Sequence, residues 1–449
     1  MTKYTRYSAR AGLAALDVWF RQKGIWAAVE EKVKIGQKVI KDTPLQKLLD
    51  AFINILAGGQ GTVEVNTRVR PDAGLQRAFG RERCAEQSVI SETLNCCEQE
   101  TVEQMRQAMQ SVFQQNSRAF QHDYRAQCLV LDVDTSGMPA GRQGEKVTKG
   151  YFSGTKNKRG RQLGRVVATL YDEIVEEQLY SGKRQLDKSA IALIETAADT
   201  LKLGPLQRSR CIVRIDAGGG TVENINWLLN ENYQLLAKVK HWKQAAKLAR
   251  SVSAWYPDPK IAGREVGWVE APYPYGKPTR QLAIRNLKKN GEWSYHVLVF
   301  TLTDEQIFWL ARQPVLNTPT SPQILFAVLT AYDLRNGGIE TSYKNSKQGL
   351  GFTRRNKRKF TAQEMLILLA QLAYNVLTWF HFALSAVSQR FCSYGPLRLI
   401  RDLLHIPGRI ELDEQGYILQ IALSRQHPFA ACLAQTLTSN DLSLILAEI

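Results

Sequence analysis

The sequence predicts a multidomain α/β protein. Three observations carry that prediction. Apolar segments of strand length alternate with segments of helical spacing through the middle of the chain. Helical text without such strands fills the first quarter and returns in the last third. At 449 residues, the chain is longer than one ordinary domain, and 44% hydrophobic with 22% charged residues is globular rather than disordered chemistry.

Residues 1–120 are expected to form a helical DNA-binding region. Leu45 to Leu56 has helical apolar spacing and stops at Gly58-Gly59. Arg81 to Asn95 (RERCAEQSVISETLN) resembles the second helix of a helix-turn-helix, with Gln87 and Ser88 near its start and Val89, Ile90 and Leu94 packing inward. In that motif the first residues of the second helix face base edges. The same text also suits any amphipathic helix with a polar first turn.

Residues 121–235 read as the first part of an α/β core. Gln127 to Val133 is a continuous apolar strand that ends in acidic residues, followed by a Gly-rich basic stretch from Gly141 to Arg165. Val166 to Tyr171 suits a strand and Asp187 to Leu201 an amphipathic helix. Arg210 to Ile215 is a strand closed by Asp216, and Gly218-Gly219-Gly220 lead into a helix through Leu229. Residues 236–325 read as a β-rich insertion. Arg280 to Leu287 and Tyr295 to Leu302 flank Lys289-Asn290-Gly291, a hairpin signal, and Trp242, Trp255, Trp268 and Trp293 fall in this stretch. Residues 326–392 return to helix as the second part of the core. Residues 393–449 form a C-terminal region with a hairpin turning at Glu414-Gln415-Gly416.

The charge narrows the function. Lys plus Arg number 59 against 42 acidic residues, a net of +17, and such a field attracts polyanions, nucleic acid first. Three basic clusters stand out: Lys149 to Arg165, Lys238 to Arg250, and Arg354 to Lys359. The seven cysteines are scattered without C-x-x-C spacing, against a zinc site and against a disulfide framework. Met1 to Arg10 lacks the apolar core of a signal peptide. Met365 to Val387 nears membrane-crossing length, but it carries Gln371, Asn375, His381 and Ser385 and reads as a buried core helix. The expectation is a cytoplasmic, nucleoid-associated protein with no membrane partner.

The chemistry is expected from acidic residues. Asp134 follows the first core strand, Asp132 lies two residues earlier on the same face, and Asp216 ends a second strand. Glu340 lies in a later helix, seven residues before Lys347 and on the same face. Two aspartates on adjacent strands plus a helical glutamate can converge on a pair of Mg²⁺ ions, since hard oxygen ligands suit that cation. Paired ions can activate a water or a 3′-hydroxyl and stabilise the leaving oxygen of a phosphodiester. Each acid taken singly also suits a structural role.

Tyr332, Arg335, Glu340 and Lys347 follow, in order, the Y-x2-R-x3-E-x6-K signature of DDE transposases of bacterial insertion sequences, and the chain resembles that family. Four residues rather than three separate Arg335 from Glu340, and Gly337-Gly338 can absorb the extra one. Asp216 in RIDAGGG resembles the family's strand-Asp-Gly pattern before a helix. Asp134 in DVDTSG resembles its first aspartate, with Ser136 as the hydroxyl residue two positions on, and Asp132 is the rival for that role. Leu372-Ala373-Tyr374-Asn375 resembles the helix after the family's glutamate.

The resemblance implies a ribonuclease H-like catalytic core interrupted by a β-rich insertion, with a helical N-terminal region. It implies a cut-and-paste transposase that binds terminal inverted repeats, cleaves them through hairpin ends and joins the 3′ ends to target DNA. On that analogy Asp134, Asp216 and Glu340 hold two Mg²⁺ ions, with Mn²⁺ as a substitute. Tyr332 and Arg335 grip a phosphate near a flipped base, on which an insertion tryptophan could stack, and Lys347 contacts the backbone near the cleavage point. The implied partners are double-stranded DNA, as transposon ends and target, and a second copy of the chain in a homodimer. Two other classes stay open at this point: a metal-dependent nuclease without strand transfer, and an inactive DNA-binding relative.

Overall fold

A computed structural model describes residues 4–39, 41–152, 155–354, 356–438 and 444–447, with backbone alone for Lys156 and for 444–447. The chain divides into two compact units. Met1–Ser117, Pro139–Val147 and Tyr343–Ile449 make the first, and Arg118–Met138 with Thr148–Ser342 make the second. In chain order the strands are β1 (Tyr4–Ser8), β2 (Leu129–Pro139), β3 (Thr148–Phe152), β4 (Thr155–Ala168), β5 (Glu173–Ser181), β6 (Cys211–Ile215) and β7 (Gln234–Lys238). They continue with β8 (Tyr256–Pro257), β9 (Arg264–Trp268), β10 (Arg280–Leu287), β11 (Trp293–Phe300), β12 (Gly408–Leu412), β13 (Ile418–Ser424) and β14 (Leu444–Ala447).

The second unit is built on one ten-stranded sheet of order β3-β4-β2-β6-β7-β11-β10-β9-β8, with β5 paired to β4. Its centre is parallel: β2 pairs with β6, and β6 with β7. β6 (CIVRI) is buried along its whole length, as a central parallel strand must be. Helices Asp304–Leu310 and Ser321–Asp333 cover one face, where Leu325, Val328 and Leu329 join a core with Val130, Ile212, Leu236, Leu298 and Phe300. Helix Ala190–Leu201 packs on β4 and β5, and helix Val222–Asn230 on β7.

The β-rich stretch expected to stand apart continues this sheet. β11 pairs antiparallel with β7, and β10, β9 and β8 follow outward. The reason is backbone accounting. Leu235, Leu236 and Ala237 are fully buried, so the β7 edge away from β6 needs hydrogen-bond partners inside the protein, and β11 supplies them. The β10–β11 hairpin turns where the Asn290-Gly291 text says it should, with Gly291 at φ +83°. Two other expectations shift. β2 runs on to Pro139, so Asp134 lies within a strand rather than after one, and the basic stretch after it folds largely into β3 and β4.

In the first unit, helix Phe360–Val387 is 28 residues long and apolar enough to span a membrane by length and composition, but 89% of its most apolar window is buried. It packs against Pro44–Leu56, Gln87–Cys96 and Gln99–Asn116. Pro44–Leu56 starts with a capping box from Thr43 and Gln46 and Pro44 in its first turn. β1, β12, β13 and β14 form a second, four-stranded sheet, and the β12–β13 hairpin has Gly416 at φ +87°.

Candidate active site at the ends of the parallel strands

The register of β2 and β6 lays down two rows of charge, one step apart. Asp132 lies opposite Arg214. Asp134 and Asp216 lie one step past the last registered pair, Val133 and Ile215. Side chains alternate along a strand, so Val130, Asp132 and Asp134 share a face with Ile212, Arg214 and Asp216. That face turns from apolar, to ion-paired, to acidic towards the carboxyl ends of the strands, where open α/β sheets place ligands.

The lower row is closed. Asp132 and Arg214 are 0% and 2% exposed. Arg214 Nε and Nη2 donate to the two Asp132 oxygens at 2.6 and 2.7 Å, a bidentate fork. Arg214 Nη1 donates to the Ala331 carbonyl at 2.8 Å, and Thr169 Oγ1 donates to Asp132 at 2.6 Å. Asp132 is therefore spent within the core. Of the two aspartates that compete in the sequence, Asp134 is the one whose side chain keeps some exposure, 18%.

The upper row sets two like charges side by side, with Arg335 against one of them. Burial is the main cause that raises the Asp134 carboxyl to about 6, and Asp216 adds to it while Arg335 opposes it. Arg335 Nη2 lies 2.9 Å from Asp134 and donates to the Val133 carbonyl at 3.2 Å. Burial alone would lower the Arg335 pKa, but Asp134 and then Asp216 outweigh it, so the guanidinium stays charged. Arg335 Nε is buried without an acceptor among the described residues. Asp216 is held by its own loop: Gly218 N–H donates to its side chain at 2.8 Å, and the Gly219 and Gly220 N–H groups donate to its carbonyl. Gly220 has to be glycine, because a Cβ there would meet the Lys238 carbonyl at 1.8 Å.

Tyr332 lies beside the acids. Burial raises its hydroxyl pKa, Asp216 and Asp134 push the same way, and Arg335 opposes them. Between Arg335 and Glu340 the helix changes its pitch. Asn336–Glu340 is a π-helical turn, which takes one more residue per turn than an α-helix needs, and both glycines lie in it. Gly338 is pressed against the lower row: a Cβ would come 2.5 Å from Thr169 Cγ2 and 2.7 Å from Asp132 Oδ2. Just beyond, Ser342 is anchored by Arg165 at 2.9 Å, itself paired with Glu177.

The expected third acid stands differently. Glu340 is exposed, and among the described residues no three His, Cys, Asp or Glu side chains gather closely enough to hold a metal ion. Lys347 is half-buried in the first unit, its Nζ 5.8 Å from the Tyr343 ring centroid. Two further groups join the acids: Lys238, which sequence reasoning placed only in a basic cluster, and Asp333, which it did not single out. Lys238 feels Asp216 and Asp333, and Asp333 is paired with Arg264 at 2.7 Å. Strand parity was the signal for Lys238, which ends β7 as Asp216 follows β6.

Residues 5–442 match the family model described as Transposase DDE domain group 1. The chain belongs to that DDE transposase family. It also has a likeness, with a TM-score of 0.49 and 10% identity over 96% of this chain and 82% of the other, to a cryo-EM structure of a piggyBac transposase synaptic complex with hairpin DNA. No curated protein matches the chain.

For a DDE transposase, the basic clusters divide. Arg161 and Arg165 are 1% exposed and belong to the core rather than to a surface. Lys357 and Lys359 are tied to Ser91 and Glu98 within the first unit, and Arg355 lies outside the described residues. Lys149, Lys158, Lys243, Lys247 and Arg250 are exposed. The tryptophans divide too. Trp255 and Trp293 sandwich the Arg285 guanidinium at 4.4 and 4.5 Å, and Trp268 donates to Ser321. Trp242 is 70% exposed. In the expected helix-turn-helix segment, helix Gln87–Cys96 buries Ile90 and Leu94, leaves Val89 half-buried and exposes Ser88.

Proposed function

We propose that this chain is the cut-and-paste transposase of a bacterial insertion sequence, of the Y-R-E-K subclass, which cleaves the ends of its element and joins the 3′ ends to target DNA. The observation that carries the reading is the upper row: two carboxylates side by side where β2 and β6 stop pairing, with Arg335 held against Asp134. The second unit is read as the ribonuclease H-like core, and β8 to β11 as its β-rich insertion, joined to the core sheet.

The donor set suits a hard divalent cation, because Asp134 and Asp216 are adjacent oxygen ligands whose mutual repulsion a cation relieves. Asp134, Asp216 and, as third ligand, Glu340 are the residues assigned to two Mg²⁺ ions, for which Mn²⁺ can stand in. Bound there, the ions would supply Lewis-acid stabilisation of charge at the phosphate. Arg335 orients Asp134, and its unused Nε offers a donor to a phosphate oxygen. Tyr332, kept protonated, is the matching hydroxyl donor. Lys347 and the exposed lysines hold the DNA backbone, contacts that give affinity and register without reading sequence. Trp242 is the tryptophan of its stretch free to stack on an unpaired base. Helix Gln87–Cys96 is assigned to the terminal repeats, and a homodimer to the pairing of two ends. A nucleoid location in the cytoplasm follows from this substrate.

Excision in cells tests the reading. A plasmid carrying the gene within its native flanks should lose the element with the wild type and keep it with Asp216→Asn. Excision by Asp216→Asn at the wild-type level would end this assignment of the acids. Ends that are cut but never joined would favour a nuclease.

A further inference from the structure

We propose that Lys238 is a further residue of the reaction centre, a cation that holds the scissile DNA phosphate beside Asp216. The inference rests on the transposase reading above and names what one unassigned side chain does in it.

Position comes first. β7 pairs with β6 so that Arg214 faces Leu236 and Ile215 faces Ala237. The next step places Lys238 beside Asp216, which itself follows Asp134 across β2. Asp134, Asp216 and Lys238 thus form one row over three parallel strands. One step earlier on the same face, Leu236 is fully buried, with Phe300 as its β11 partner. Lys238 is the first residue of β7 to clear that core. Its main chain is held on both sides, by Leu298 in register on β11 and by Gly220 against its carbonyl.

Partnership comes second. Neighbouring cations among the described residues are taken: Arg214 by Asp132, Arg335 by Asp134, Arg264 by Asp333 and Lys240 by Asp187. Lys238 is half-buried, and its ammonium makes no hydrogen bond or ion pair among the described residues. A cation drawn partly out of water without a partner is costly unless a ligand completes it. Burial lowers its pKa, and Asp216 and then Asp333 pull the other way. His296 on β11 is pushed down to about 4, chiefly by burial and also by Lys238, so it stays neutral and adds no second cation. The missing partner is an oxyanion, and in a site for DNA that is a phosphodiester oxygen, which a lysine meets as a point charge.

The rival role is a passive counter-ion for the excess acid, and two readouts separate them. Full-length wild type, K238M and K238R would be given a duplex bearing the element's terminal repeat, at saturating Mg²⁺. K238M should cleave about 100-fold more slowly, and K238R should recover about tenfold of that. The binding readout needs no turnover. A neutral methylphosphonate at the scissile position should weaken end binding by the wild type and leave K238M indifferent. Cleavage by K238M at the wild-type rate would overturn the proposal alone, as would an equal methylphosphonate penalty in both proteins. A wild type inert on DNA would overturn this proposal together with the transposase reading.

Discussion

The two rows of charge on β2 and β6 have the same strands, the same face and the same register, and differ by one step. In the lower row an acid meets a base, every polar group is satisfied, and both side chains are sealed from water. In the upper row an acid meets an acid, and a single arginine from a later helix is shared with a backbone carbonyl. The first arrangement holds strands and helix in place. The second sets like charges side by side with no closed acid–base fork, the condition in which a bound cation or a polar substrate stabilises the site. The structure thus puts rigidity and reactivity side by side: Arg214 bonds the carbonyl of Ala331, the residue before Tyr332, so the lower row also positions the upper one.

Breaking the lower row should have the largest effect on stability. Arg214→Met leaves Asp132 buried with Thr169 as its remaining side-chain donor, and removing one partner of such a pair costs roughly 3–5 kcal/mol. Urea melts would show it, and a loss below about 1 kcal/mol would mean the pair is not the clamp described here. Replacing both partners, Asp132→Leu with Arg214→Met, should return most of that loss, because apolar pairs of similar volume are tolerated where a lone charge is not.

The upper row should show the opposite sign. The Asp134 pKa is raised from 3.8 to about 6 in the folded chain. An acid raised on folding contributes stability that is full below pH 3.8 and is lost as pH rises through about 6. Asp134→Asn removes that loss. Melts at pH 4, 5, 6 and 7 should find the variant gaining on the wild type across this window, by on the order of 2–3 kcal/mol at the top. A difference that stays flat with pH would show that Asp134 is not strained by its neighbours.

Much of this was legible in the sequence, for identifiable reasons. Strands such as CIVRI announce themselves because parallel central strands are apolar on both faces, and the Asn290-Gly291 hairpin because that turn type demands positive φ. Asp134 and Asp216 stood out as acids that interrupt apolar strand text. What stayed hidden depends on register. Nothing in the order of residues tells that Asp132 faces Arg214 while Asp134 faces Asp216, and so which aspartate is spent. β5 was missed because EIVEEQLY alternates imperfectly, and its buried Glu177 is matched by Arg165 across the sheet. The π turn at Asn336–Glu340 could not be read from residue spacing alone.

That turn offers a matched pair of variants. Alanine normally gains about 1 kcal/mol over glycine within a helix. At Gly337 nothing lies within 4 Å of a new Cβ, so Gly337→Ala should be neutral or stabilising. At Gly338 the Cβ strikes Thr169 and Asp132, and Gly338→Ala should cost roughly 1–3 kcal/mol as the lower row gives way. If both variants melt together, the helix does not rest on that row.

The smallest stability effect carries the finest question, which acid completes the upper row. Glu340 is exposed, so Glu340→Gln should leave stability within about 0.5 kcal/mol. Asp333 is 41% exposed and paired with Arg264, so Asp333→Asn should cost at most about 1 kcal/mol. Neither variant unfolds the site, and excision then reads chemistry alone. Glu340 as third ligand predicts no excision by Glu340→Gln and near-normal excision by Asp333→Asn. The reverse result would transfer the role to Asp333, whose charge already reaches Tyr332 and Lys238. It would also change the meaning of the π turn, from a device that delivers Glu340 to one that lets the helix pass Asp132 and Thr169.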